Sequence, residues 1–155
     1  MKIIAGSPTM SAPMGEDEVV KFLGNKTNIQ IATVDEDGNP NIQPVWFYYE
    51  KSNEKLYIST QNRTKKVTNI HKKPDVYFSV DEDTFPYRCV KGRATVEICE
   101  DPVRNVPVVE KIATKYIGSL DDPFSKTLVD MAKNKTSVVL ELSPKFFSTW
   151  DFSKI

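Results

Sequence analysis

Residues 56–80 read LYISTQNRTKKVTNIHKKPDVYFSV, and the order of signals within them sets the architecture. Leu56 to Thr60 is a short apolar run bounded by turn residues, which reads as a strand. A polar turn follows, then a helix from about Thr64 to Lys72, with Val67 and Ile70 in phase on its inward face. The helix ends before Pro74, because a proline pushes the preceding residue out of the helical region. Val76, Phe78 and Val80 then alternate as a further strand. At the helix start stand Arg63, Thr64, Lys65 and Lys66. A helix N-terminus offers free N–H groups and the positive end of the macrodipole. A hydroxyl and several cations added there make a site for a phosphate. Arg binds phosphate as a fork and Lys as a point charge. The competing reading of the same run is a solvated helix face.

Working outward, a first helix is expected from about Glu16 to Leu23, its early acids suited to the N-terminal dipole and its end marked by Gly24 and Asn25. Asn28 to Val34, Asn41 to Tyr49 and Leu56 to Thr60 form a β-meander, joined by turns at Asp35–Gly38 and Ser52–Asn53. Pro44 removes a ladder donor from the second of these strands, which places it at an edge or a bulge. Downstream, Val90 to Ile98 is a strand in which Gly92 marks a bulge or a close backbone approach. Asp101-Pro102 and Asp122-Pro123 each put an N-cap acid before a proline at the first helical position, so helices run to about Tyr116 and about Lys133. Strands near 137–142 and 146–151 close the chain. The expected fold is mainly β, a closed antiparallel barrel with peripheral helices, because closure removes exposed edges. Residues 1–14 are expected to be a flexible arm and 15–155 a single domain.

Composition narrows the function. The chain has 155 residues, with 39% hydrophobic and 27% charged, as in a globular protein. Lys plus Arg number 21 and Asp plus Glu 21, a net charge of zero, which weighs against nucleic-acid binding through the basic run 63–73. No apolar run is long enough to cross a bilayer, and residues 1–14 lack the pattern of a signal peptide. Two cysteines, Cys89 and Cys99, without metal spacing point to reduced thiols and a cytoplasmic location. The single histidine, His71, has no acid or nucleophile partner in pattern, so no general base is named. The segment Gln43-Pro44-Val45-Trp46-Phe47-Tyr48-Tyr49 holds flat aromatics that could line a planar heterocycle, with Trp46 singled out as near a site; the other reading of most of them is barrel core plus a dimer contact.

The block KLYISTQNRTKKVTNIHKKPDVYFSV, with the order of elements around it, resembles the pyridoxamine 5′-phosphate oxidase-related, FMN-binding split β-barrel family over roughly residues 16–152. In that family a strand ending in a hydroxyl residue is followed by Ser/Thr, a basic pair, an amide residue before an apolar one, and a proline; here these are Thr60, Thr64, Lys65-Lys66, Asn69-Ile70 and Pro74. The resemblance implies that Thr60, Thr64, Lys65 and Lys66 hold the phosphate and ribityl chain of FMN, and the neighbouring Ser59 and Arg63 are further cofactor-binding candidates. It implies that Gln43, Pro44, Val45 and Trp46 line the isoalloxazine, and that Trp150 reaches the flavin from a partner subunit in a homodimer with flavin at the interface. FPYRCVKGRATVE, from Phe85, is similar to the strand leading to that interface. True pyridoxamine-phosphate oxidases carry Arg-x-His after the tryptophan; this chain reads Trp150-Asp151-Phe152-Ser153-Lys154-Ile155. The implied function is therefore FMN-dependent redox chemistry on a small molecule other than a B6 phosphate. A deazaflavin-dependent reductase on the same fold and a non-enzymatic flavin sensor or carrier are the alternatives; nucleic acid and membrane are not expected partners.

Overall fold

In the computed structural model, which describes residues 1–155, eight strands form one sheet. Their ranges are β1 Ile3–Ala5, β2 Ile29–Val34, β3 Pro40–Val45, β4 Tyr48–Glu50, β5 Lys55–Gln61, β6 Asp75–Asp81, β7 Arg88–Cys99 and β8 Ser137–Asp151. Four helices complete the fold: α1 Glu16–Leu23, α2 Lys65–Lys72, α3 Pro102–Tyr116 and α4 Pro123–Lys133. The strand order is β3-β2-β6-β7-β8-β5-β4, antiparallel throughout except that β1 pairs parallel to β8. No helix is long and apolar enough to cross a membrane.

The sheet curls into a split barrel, as the family resemblance implies, and the closure favoured by edge removal alone is incomplete. Its two edge strands, β3 and β4, are neighbours in the chain, and no ladder joins them. The chain crosses the split at Trp46 and Phe47, so the continuous strand expected over Asn41–Tyr49 is two strands. The reason lies in packing. Phe47 is fully buried in the main core, and turning it inward takes its backbone out of the ladder. Pro44 sits on edge strand β3, opposite Gln30, where a missing N–H costs nothing.

Two further expectations are corrected. The strands expected at 137–142 and 146–151 are one 15-residue strand. β7 runs alongside it from Cys99↔Val139 to Arg88↔Asp151, absorbing one extra residue at a bulge beside Arg93 and Ala94. Pro144 is tolerated because β5 pairing has ended at Leu142 and β1 pairing begins only at Phe147. The arm at residues 1–14 is tied to the sheet: β1 lies on Phe147–Thr149, and the buried Met14 donates its N–H to Thr149 Oγ1 at 2.8 Å.

The main core lies inside the curl. Phe22, Phe47, Phe78 and Phe147 meet Ile29, Ile31, Leu56, Ile58, Leu140 and Leu142 there. Helices α1 and α2 close it with Val19, Phe22 and Leu23, and with Val67 and Ile70. Helices α3 and α4 instead cover the outer face of β5 and β8, over a small second core of Cys99, Val109, Ala132 and Val139. Both start as expected: Asp101 accepts from Val103 N–H at 3.0 Å and Asp122 from Phe124 N–H at 2.8 Å.

Candidate functional site

The candidate site begins where β5 leaves the sheet. Asn62 Nδ2 anchors the turn by donating to the Lys135 carbonyl at 2.9 Å. Thr64 takes an extended N-cap conformation, but its hydroxyl does not cap α2; it donates back to the Gln61 carbonyl at 3.2 Å. The first turn of α2 carries no acid, so no side chain of that turn opposes its N–H groups and dipole. Arg63 and Lys65 are exposed beside it.

Lys66 behaves differently. The helical phase, with Val67 and Ile70 inward, does not require Lys66 to be a core residue, but its side chain is buried, at 6% exposure. Its ammonium donates to Gln43 Oε1 at 2.8 Å. Burial pulls its pKa below the ordinary lysine value, because a low-dielectric site disfavours the charged form. One hydrogen bond to a neutral amide leaves two ammonium protons free of protein partners. Gln43 is half-buried on edge strand β3, so this bond ties the edge of the split barrel to the start of α2. Asn69, one turn further on, is buried and donates to Thr33 Oγ1 at 3.0 Å, fixing the helix to β2.

At the split, Trp46 stacks on Tyr116, with ring centroids 4.7 Å apart and planes within 2°. Phe124 meets the same indole edge-on at 6.2 Å. The polar groups of the crossing are satisfied from α3. Phe47 N–H donates to the Tyr116 hydroxyl at 3.3 Å, which in turn donates to the Thr27 carbonyl at 2.7 Å. Lys115 Nζ donates to the carbonyls of Leu23 at 2.9 Å and Phe47 at 3.1 Å, and lies 3.7 Å from the Phe47 ring centroid. Burial pushes the Lys115 amine down to about 8 and the Tyr116 phenol up to about 12. Nothing in the sequence singled out Lys115, Tyr116 or Phe124; adjacent helix positions such as 115 and 116 do not share a face.

Within one chain, then, Gln43 and Lys66 are in contact. Ser59, Thr60, Arg63, Thr64 and Lys65 surround the same strand-to-helix junction. Pro44 and Val45 continue β3 toward Trp46. Trp150 stands apart, at the other end of β8. It pairs with Cys89, Lys91 Nζ lies 5.3 Å from its ring, and it lines a separate hollow with Asp81, Tyr87 and Phe152. The junction can bind an anion at α2 and present a flat aromatic surface at the split.

The model of the pyridoxamine 5′-phosphate oxidase family matches residues 16–151. No curated protein matches the chain. Among solved structures, an F420 reductase is 28% identical, covering 88% of this chain and 98% of its own, with a TM-score of 0.67. The conserved hypothetical protein Rv2991 from Mycobacterium tuberculosis is 24% identical over 94% of this chain and 89% of its own, TM-score 0.80. HutZ, the heme storage protein of Vibrio cholerae, is 17% identical over 84% of this chain and 89% of its own, TM-score 0.66. The last two share the fold.

Proposed function

The chain belongs to the pyridoxamine 5′-phosphate oxidase family, and from that premise we propose that it is an FMN-binding oxidoreductase acting on a small molecule that is not a B6 phosphate. The observation that carries this reading is the start of α2: an uncapped N-terminus without acids, flanked by exposed Arg63 and Lys65, with the buried Lys66 ammonium held against Gln43. This donor set fits a phosphate monoester. Arg63, Thr64, Lys65 and Lys66 would hold the phosphate of FMN, Ser59 and Thr60 the chain leading from it, and Gln43 to Trp46 the ring. The flavin supplies the redox chemistry when bound; the protein binds it, orients it and shields one face. Absorbance and mass spectra of the chromophore released by heating the purified protein test the reading. FMN supports it; a colourless protein that takes up no flavin overturns it.

A second reading is favoured by one observation, the 28% identity to an F420 reductase. A deazaflavin also carries phosphate, so the same cradle would serve it. Side-by-side titration separates the two, since a clear preference for FMN removes the deazaflavin.

The functional unit is a homodimer in this reading. The outer face of β3, β2 and β6 is uncovered by helices and exposes Ile42, at 63%, and Tyr77, at 55%. Both lie opposite Ala32 on the intervening strand and therefore on one face. An apolar row on an edge of the split barrel suits a second copy, whose Trp150 would complete the flavin site. Ile42→Asp is expected to yield a monomer in sedimentation velocity with lowered FMN affinity; an unchanged dimer rejects this face as the interface.

A further inference from the structure

Beside the phosphate cradle, on the outer face of the barrel, α4 stands off the ends of β5 and β8 and leaves a cavity of about 210 Å³. Its apolar wall is Phe124, Leu128 and Met131, spaced along one face of α4, and its polar wall is Ser59, Thr60, Gln61 and Ser137. Ser137 lies opposite Gln61 and lines the cavity; although the residue is 4% exposed, its hydroxyl is not sealed from solvent and makes no side-chain hydrogen bond, so it is free to bond to an occupant of the cavity. No charged side chain lines the cavity. The cavity adjoins both halves of the candidate site: Thr64 donates to the Gln61 carbonyl on one side, and Phe124 touches Trp46 on the other.

We propose that this cavity is the substrate pocket and that it takes a neutral molecule with a single flat ring and one hydrogen-bonding substituent. The size follows from the volume: an apolar cavity of about 150 Å³ holds one benzene ring, and the remainder admits a small polar group. Neutrality follows from the lining, because a carboxylate or phosphate moved there would lose its hydration without gaining a counter-charge. Phe124, 54% exposed, offers apolar surface to the ring, and Ser137 addresses the substituent. The claim rests on the flavoprotein reading in treating the occupant as the substrate; the binding itself rests on the cavity.

The test uses the full chain labelled with ¹⁵N, titrated with benzamide and, separately, with benzoate, a charged molecule of nearly the same shape. Each titration is run with and without saturating FMN. Benzamide is expected to shift the amides of Gln61, Phe124, Leu128 and Ser137, to bind at least about 10-fold more tightly than benzoate, and to remain bound when FMN is added. Ser137→Ala is expected to weaken benzamide about 5-fold, the loss of one neutral hydrogen bond, with FMN affinity unchanged. Phe124→Ala is expected to weaken benzamide as well, through loss of the apolar wall. Equal binding of benzoate, shifts mapping elsewhere, or competitive displacement of benzamide by FMN would each overturn the pocket, the last by giving the cavity to the cofactor. FMN binding without benzamide binding sinks the pocket and leaves the cofactor reading standing; benzamide binding without FMN binding does the reverse.

Discussion

Exchanging Lys66 for Met and Lys65 for Ala separates the two lysines of the cradle, because the structure gives them different jobs. Lys65 is exposed, and an exposed ion pair contributes about 0.2–1 kcal/mol, or roughly 1.5- to 5-fold in affinity. Lys66 is buried and already oriented by its 2.8 Å bond to Gln43 Oε1. A pre-aimed ammonium making a charge-assisted hydrogen bond to phosphate contributes about 1.5–3 kcal/mol, or roughly 10- to 150-fold. Methionine keeps the apolar stem and leaves Gln43, itself half-buried, free to turn to water. Isothermal titration with FMN is therefore expected to show a much larger loss for Lys66→Met than for Lys65→Ala. Raising the salt toward 1 M, where the Debye length shrinks to about 3 Å, erases the Lys65 effect and spares that of Lys66. The pH profile carries a second signature. Binding needs the phosphate dianion, formed above about pH 6, and the protonated Lys66. Burial lowers the Lys66 pKa, so affinity rises through about pH 6 and falls again before the ordinary lysine range. Lys66→Met removes the alkaline fall. Equal losses for the two variants, or a Lys66→Met protein with native affinity, would refute the assignment of the buried lysine to the phosphate.

Two further outcomes follow from the framework around the site. Lys115 is expected to titrate near pH 8 when followed by the ¹³Cε shift, since burial lowers its pKa to about 8. With a folded pKa below the unfolded one near 10.4, the unfolded chain binds the extra proton between these values, so this group makes stability rise with pH across that window; a midpoint above 10 shows the amine to be solvated. Gly92→Ala would place a Cβ 2.2 Å from the Phe146 carbonyl oxygen and 2.9 Å from Phe78 Cζ. Overpacking of this kind costs about 1–3 kcal/mol, a fall of roughly 2–12 °C in Tm for a chain of this size, and an unchanged Tm by calorimetry rejects the close contact.

The parts of the fold legible in the sequence are those whose causes lie within a few residues. Asp101 and Asp122 cap their helices through N–H groups two positions on, and Pro102 and Pro123 fix the first turns. The alternation of Val76, Phe78 and Val80 states which side of β6 is buried. Gly92 announced a close approach without naming Phe146, because the partner strand lies more than fifty residues away. The break at Trp46–Phe47 had no local sign: both residues favour strands, and what stops the ladder is the demand of the core for the Phe47 ring. That demand is met only because Tyr116 and Lys115, on a helix some seventy residues later, replace the lost backbone partners.

The same distinction explains the candidate site. A run of cations reads as a solvated face because charge normally stays in water, and only the placement of Gln43 on an adjoining edge strand turns Lys66 into a buried, aimed group. The apolar spacing of Phe124, Leu128 and Met131 is visible in the chain as a helix face. What it faces is not, since the outer side of β5 offers Ser59 and Gln61 where a simple two-layer core would offer aliphatic residues. Closer to the middle of the sheet, Tyr57 and Val139 do pack against this helix pair. The change from apolar to hydroxylic lining occurs only at the end of the strands, next to α2. That hydroxylic stretch ends at Gln61, whose carbonyl Thr64 bonds, and faces Phe124, which packs on Trp46, so it lies between the two halves of the candidate site.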